Sequence, residues 1–344
     1  MRRNGEFRLI AKLAERLAGP DRATDERAAL VVGIGDDAAV TVPRGATVTS
    51  IDALIEGVHF RREEDSIASI GHKALAAALS DVAAMGASAG EAYVALGIPE
   101  DVDESACLEL CDGLAALAAE TGTAVLGGDV TRAPVIVLAV TVVGHAASAD
   151  AVVGRDGAAP EQTIAVTGEL GGAAAGRVVL DRPQLGEGIE PELVSALQRR
   201  QTEPRPQLAA GEALAAAGAS AMIDISDGLG ADAAHIAAAS GVAVEIELER
   251  VPVQAGVREV AAAAGLDPWE LVAAGGEDYE LLVALAPDRV DAAASAVAAA
   301  GSRLSVIGRS APGEGARMRR PDGSVDPGHG FDHLRARRGP GGPG

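Results

Sequence analysis

Seven short segments of this 344-residue chain set acidic residues beside glycine or a hydroxyl, a grouping suited to holding cations or phosphates. The first is Gly33-Ile34-Gly35-Asp36-Asp37-Ala38. It fits the G-x-G-x-x-A dinucleotide fingerprint, which must open a helix whose N-terminus holds a pyrophosphate. Here two carboxylates would face the anion and Ala39 to Pro43 continues as a strand, so that reading is rejected. Adjacent aspartates on a glycine turn suit a hard cation, or make an ordinary acidic turn. The second is Thr49-Ser50-Ile51-Asp52, closing an apolar run. A carboxylate preceded by hydroxyls can hold magnesium, or end a strand in a turn or cap. Just beyond, Glu56-Gly57-Val58-His59-Phe60 puts a histidine in a loop. The third, Ala78 to Gly86, carries Asp81 inside an otherwise apolar helix. Burying that carboxylate unpaired is costly, so it calls for a metal, an arginine or a backbone hydrogen bond.

The fourth segment, Leu126-Gly127-Gly128-Asp129-Val130-Thr131-Arg132, offers glycines for close backbone approach, Asp129 for charge and Arg132 for a phosphate. In the fifth, Asp224 and Asp227 flank Ser226 where a strand passes into a helix. One of them would serve as a helix cap, but two acids with a glycine exceed what a cap requires. The sixth is Gly275-Gly276-Glu277-Asp278-Tyr279-Glu280-Leu281-Leu282, and the seventh is Gly330-Phe331-Asp332-His333-Leu334. Zinc-type Cys/His spacing, the lysine-bearing P-loop, G-x-S-x-G and H-E-x-x-H are all missing from the sequence. Many carboxylates with two lysines bind ATP poorly by direct contact and well through several magnesium ions.

The elements that must position these residues alternate between two periods. Helical spacing covers Phe7 to Leu17, Ile67 to Met85 and Asp103 to Glu120. Strands are expected at Leu30 to Ile34, Ala38 to Val42, Ala46 to Ile51, Ala92 to Ile98 and Val135 to Val143. A Gly/Ala/Asp-rich stretch, Ala146 to Gln162, reads as a domain junction. Beyond it, strands are expected at Thr163 to Val166, Ala219 to Ile223, Val242 to Leu248, Leu281 to Leu285 and Leu304 to Ile307. Helices are expected at Gly171 to Leu180, Pro191 to Arg199, Leu208 to Ala217 and Leu229 to Ala239. Interleaved strands and helices imply an α/β (α+β) chain. The division expected is 1–150, 151–334 and a disordered tail from 335 to 344.

Composition narrows the class of function. A formal net charge of −21 repels a phosphate backbone, so a nucleic-acid partner is disfavoured. The sequence has neither an apolar run of membrane-spanning length nor a signal-peptide pattern, so no membrane partner is expected. Cys107 and Cys111, four apart in a helix, read as reduced core residues, which fits the cytoplasm.

Taken in order, G-I-G-D-D-A (33–38), Asp52 followed by G-V-H-F (57–60), L-S-D-V-A-A-M-G-A (79–87), G-G-D-V-T-R-A-P (127–134), D-I-S-D-G-L (224–229), G-G-E-D-Y-E-L (275–281) and G-F-D-H (330–333) closely resemble the thiamine-monophosphate kinase family. The resemblance spans roughly residues 5–334. It implies a two-domain aminoimidazole ribonucleotide synthetase-like fold with mixed sheets backed by helices. It implies ATP as co-substrate, several Mg2+ ions, thiamine phosphate as acceptor and a homodimer joined through N-terminal domains. Asp37, Ser50, Ile51, Asp52, Asp81, Asp129, Asp224 and Asp227 would surround the metals, Ile51 through its carbonyl only. Gly128, Asp129, Arg155 and Ser226 would contact ATP, while His59, Glu277 and Phe331 would bind thiamine phosphate. The reaction implied is direct in-line transfer with no covalent enzyme nucleophile. Two alternatives stay open: another ATP-dependent synthetase of that superfamily, or a non-catalytic Mg-nucleotide-binding protein.

Overall fold

The computed structural model describes residues 3–17, 28–34, 38–328 and 330, with side chains from residue 8 onward. Asp37, Phe331 and the tail from 335 lie outside the described residues. In chain order the elements of the first half are α1 (Arg3–Leu17), β1 (Ala28–Val32), β2 (Val40–Pro43), β3 (Ala46–Ile55), α2 (Ile67–Ala84), β4 (Ser88–Ile98), α3 (Glu104–Thr121), β5 (Ala124–Arg132) and β6 (Val137–Ala146). The second half runs β7 (Thr163–Thr167), α4 (Gly172–Asp181), α5 (Pro191–Thr202), α6 (Leu208–Ala216), β8 (Ala221–Asp224), α7 (Leu229–Ser240), β9 (Ala243–Glu247), α8 (Val257–Ala264), α9 (Pro268–Ala273), β10 (Leu281–Leu285), α10 (Val290–Ala299), β11 (Leu304–Ala311), β12 (Gly315–Arg319) and β13 (Val325–Pro327).

Strands β3, β6, β4 and β5 form a sheet in that order, with β1 and β2 paired separately. Alternation along β3 turns Ser50, Asp52 and Leu54 toward α2 and sends Ile51, 66% exposed, to the opposite face. The inner face buries Leu54, Leu96, Leu138, Val140 and Val142 against α2 and α3. Helix α2 starts at Ser66, whose hydroxyl accepts from the Ser69 N–H at 3.1 Å. It is apolar almost all round because the sheet, α3 and the second half each cover one side. Gly71 on α2 and Gly113 on α3 set the approach of the two helices. A Cβ on Gly71 would lie 1.9 Å from the Leu110 carbonyl oxygen, and one on Gly113 1.8 Å from that of Ala68.

The second half is built on a seven-stranded sheet, β13-β12-β9-β11-β7-β10-β8, antiparallel except where β12 runs beside β9. Helices cover both faces, so β7 and β10 are continuous apolar runs that divide by parity. Ile164, Val166, Leu282 and Ala284 face α7, while Ala165, Leu281, Val283 and Leu285 share a core with α6, α10 and Ala83 and Ala84 of α2. Among the described residues no helix is long and apolar enough to cross a membrane.

Three local features refine the sequence expectations. Asp52 sits within a ten-residue strand rather than at a strand end, because β3 continues to Ile55 along β6. Gly127 to Arg132 forms the end of strand β5. A Cβ on Gly128 would lie 2.1 Å from the Val94 carbonyl oxygen, so that glycine answers to the neighbouring strand. Helices α8, α9 and α10 have no counterpart in the sequence reading: α8 and α9 span only eight and six residues, and α10 is alanine-rich with little apolar contrast.

Candidate active site

A cleft of about 510 Å³ opens between the two halves. At one end stand Asp52 on β3, Asp81 on α2, and Asp224 and Asp227 at the C-terminal end of β8. Local folding explains the convergence. Antiparallel pairing of β8 with β10 stops at Asp224, and the chain turns through Ser226 and Gly228 into α7. The serines beside the acids supply donors: the Ser80 hydroxyl gives a 2.7 Å hydrogen bond to Asp224 Oδ2, and the Ser50 hydroxyl donates to Asp81. The Ser80–Asp224 bond crosses from one half to the other.

The electrostatics favour a cation. Burial, then the nearby Asp81 carboxylate, pushes Asp224 up to about 7, while Ser80 and the Arg155 guanidinium pull the other way. Burial and Asp81 likewise lift Asp52 to about 6. Just behind them, burial and the charges of Asp224 and Asp227 raise Asp232 to about 8, although it accepts the Asp227 and Gly228 N–H groups. These carboxylates disfavour one another's ionised form, and a divalent ion would reverse that. The donors are carboxylate and hydroxyl oxygens, the set a hard ion such as Mg2+ takes. Asp52, Asp81, Asp224 and Asp227 therefore fit as holders shared among several such ions, since among the described residues only Asp227, Asp232 and His235 have ligand atoms close enough together for one.

The other end of the cleft carries His59, Glu277, Gln201, Arg61 and Arg177. His59 Nδ1 accepts the Ile55 N–H at 3.0 Å, which places the imidazole proton on Nε2. The 277–279 loop lies along the 225–226 segment, with Glu277 N–H donating to the Ser226 carbonyl at 2.8 Å and Tyr279 N–H to that of Ile225 at 2.9 Å. Glu277 and Tyr279 are held at φ 66° and 50°, the left-handed region non-glycine residues seldom adopt. Backbone strain of this kind persists where surrounding structure over-determines it, commonly at functional sites. Arg61 and Arg177 both meet Asp181, at 2.6 and 2.8 Å, on the cleft wall.

Comparison with known proteins assigns this architecture. The patterns for "AIR synthase related protein" match as an N-terminal domain at 35–146 and a C-terminal domain at 159–320. A curated thiamine-monophosphate kinase of Mycobacterium tuberculosis is 38% identical over 280 residues, 81% of this chain and 80% of its own. The chain belongs to the thiamine-monophosphate kinase family. Among solved structures, a thiamine-monophosphate kinase from Stenotrophomonas maltophilia K279a matches with a TM-score of 0.80 and 35% identity, covering 94% of this chain and 98% of its own. AaThiL complexed with AMPPCP and TMP matches with a TM-score of 0.72 and 30% identity, covering 94% and 95%.

Against that family background, the sequence-derived residues fall into three groups. Asp52, Asp81, Asp224, Asp227, Ser226, His59 and Glu277 line the cleft, with Ser50 bonded to Asp81. Arg155 is exposed near Asp224, close enough for its charge to act on that carboxyl. Gly128 and Asp129 are not brought there within one chain. They lie on edge strand β5, three strands from β3, and Asp129 shares the outer face with Ala95, Ala139 and Ala53. The Ile51 side chain points to that same outer face. Several wall residues escaped the sequence reading: Gln201, Arg61, Arg177 and Tyr279, as did Lys73, buried behind Glu277. Tyr279 had a usable signal, being one of two tyrosines and set in an acidic motif. Asp278 and Glu280 of that motif prove architectural. Asp278 accepts the Gly171 and Ala173 N–H groups at 2.7 and 3.1 Å, and Glu280 takes the Thr167 hydroxyl at 2.6 Å and pairs with Arg200.

Proposed function

We propose that this cleft transfers the γ-phosphoryl group of ATP to thiamine phosphate, giving thiamine diphosphate and ADP. The carrying observation is the convergence of Asp52, Asp81, Asp224 and Asp227 opposite a wall bearing His59 and Glu277, in a chain of this family. The relative solved with AMPPCP and TMP, a nucleotide analogue with a phosphate acceptor, supports the assignment of both substrates. Magnesium, when bound, neutralises the triphosphate and the charge that develops on it. The chain's own residues position the reactants. The aspartates fix the metal-bearing end, Ser226 and Arg155 lie beside it, and His59, Glu277 and Phe331 serve the acceptor. A phosphate oxygen of thiamine phosphate attacks the γ-phosphorus, its bond to the β-bridging oxygen breaks, and that electron pair leaves with ADP. Positioning and charge neutralisation suffice for such a transfer, so no enzyme nucleophile is required.

The same reading divides the chain into an ATP- and magnesium-binding, dimer-forming domain (1–150) and a second domain (151–334). The outer face of the four-stranded sheet supports pairing of two copies. Ile51 is 66% exposed there, and its cross-strand neighbours are Thr141, Tyr93 and Gly127. Asp37 belongs with the metal ligands. Asp129 projects from that outer face, so it serves the cleft of the partner copy rather than its own. The free, buried thiols of Cys107 and Cys111 fit the reducing cytoplasm.

Release of ADP with thiamine phosphate, thiamine or an aminoimidazole-ribotide precursor as acceptor tests the function. Thiamine phosphate should support turnover and unphosphorylated thiamine should not. Turnover with the ribotide precursor alone would overturn the reading.

A further inference from the structure

Lys73 lies on α2 with 3% of its surface exposed. Buried lysines are rare unless paired. Its ammonium meets Glu277 Oε1 at 2.8 Å and donates to the His59 carbonyl oxygen at 3.3 Å. The other carboxylate oxygen of Glu277 accepts the Gln201 side-chain amide at 2.6 Å. Both oxygens are therefore occupied, one from α2 in the first half and one from α5 in the second. An ammonium carries three donors, so one buried cation can hold the Glu277 carboxylate and the His59 loop together.

We infer that Lys73 is a positioning residue that builds the acceptor end of the cleft, acting through Glu277 and His59 rather than by touching a substrate. Its near-complete burial makes it a poor direct ligand. Glu277 needs such support. Its backbone is in the left-handed region, and its carboxylate borders a cleft already carrying five aspartates. Lys73 meets the charge and Gln201 fixes the orientation, so the carboxylate is set before an acceptor arrives. The nucleotide end depends on neither contact: the serine donors of Asp81 and Asp224 come from Ser50 and Ser80.

The inference rests on the proposed function, and the wild-type enzyme tests that separately: no turnover with thiamine phosphate would sink the function itself. Given turnover, Lys73→Met should raise the KM for thiamine phosphate about tenfold, about 1.4 kcal/mol of lost acceptor binding. The KM for ATP should stay within about twofold, and calorimetry with thiamine phosphate alone should show the same loss. A Lys73→Met/Glu277→Gln double variant should be little worse than either single variant, since both remove the same unit. Gln201→Leu, which spares the buried cation, should give a smaller loss in the same direction should Lys73→Met fail to fold. Equal effects on both substrates, additive losses in the double variant, or unchanged acceptor binding in folded Lys73→Met or Gln201→Leu would each overturn the inference.

Discussion

The sharpest consequence of the acidic cleft is that removing a carboxylate should stabilise the metal-free protein while destroying its chemistry. Consider Asp224→Asn. Asp224 is 3% exposed, and burial beside Asp81 lifts its carboxyl from 3.8 to about 7. Because the folded value exceeds the unfolded one, the associated stability is fully present below about 3.8. It erodes as pH rises and is lost once pH passes about 7. The full gap is about three pH units, or about 4 kcal/mol at roughly 1.4 kcal/mol per unit. Asparagine carries no titrating charge, and its amide oxygen can still accept the Ser80 hydroxyl. In EDTA at pH 8 the variant should be more stable by about that amount, roughly 6 °C in Tm for a 344-residue unit that melts cooperatively. At pH 5 the gain should fall below about 2 kcal/mol, since the folded wild-type carboxyl is then protonated. Excess Mg2+ should raise the wild-type Tm at pH 8 and move the variant far less. Thermal unfolding followed by circular dichroism, with turnover measured in parallel, reads all of this. A variant no more stable than wild type in EDTA at pH 8, or one equally stabilised at both pH values, would refute the assignment of Asp224 as a cation-awaiting carboxylate.

Other outcomes follow from the same geometry. The Mg2+ concentration for half-maximal turnover should rise as pH falls through about 7 and then 6, where Asp224 and Asp52 take up protons. Magnesium titrations at pH 6, 7 and 8 check this, and a flat response would count against the two residues as ligands. Asp129→Asn and Asp224→Asn should each be inactive alone, yet mixing them with exchange of subunits should restore about a quarter of wild-type activity, because half the dimers then carry one intact site. No recovery after confirmed exchange would place Asp129 in its own chain's chemistry. Gly113→Ala should lower stability by about 1–3 kcal/mol, since the added Cβ would meet the Ala68 carbonyl oxygen at 1.8 Å; an unchanged denaturation midpoint would show that α2 and α3 can separate freely.

Much of this cleft is legible in the sequence because its acids are local anomalies. Asp81 interrupts an apolar helix and Asp224 closes an apolar strand, so each is conspicuous where it stands. Gly128 and Asp129 are ambiguous in the sequence for a related reason. A glycine pair with an acid looks the same whether it cradles a ligand or lets an edge strand lie against Val94. Lys73 is illegible because its meaning is its partner. Glu277 lies about 200 positions away, and burial of a lysine has no mark in one dimension. The fold divides along the same line. Strands β7 and β10 announce themselves as short apolar runs, whereas α8 is only eight residues long and α10 is an alanine-rich segment whose periodicity carries little contrast.

Helix α2 contributes Leu75, Leu79 and Val82 to the interior of the first half, and Ala83 and Ala84 to that of the second. Tyr279 makes the reverse crossing, leaving the second half's chain to join the first half's interior. Neither half therefore owns a complete interior. Cut between them, one fragment would lack the plug that Tyr279 provides, and the other would expose the apolar bed on which the end of α2 rests. The two halves should melt as one cooperative unit. A hinge through the middle of the molecule would disturb both interiors at once. The Arg61 and Arg177 pairs with Asp181 on the cleft wall, by contrast, are held by charge and can exchange partners without disturbing either interior.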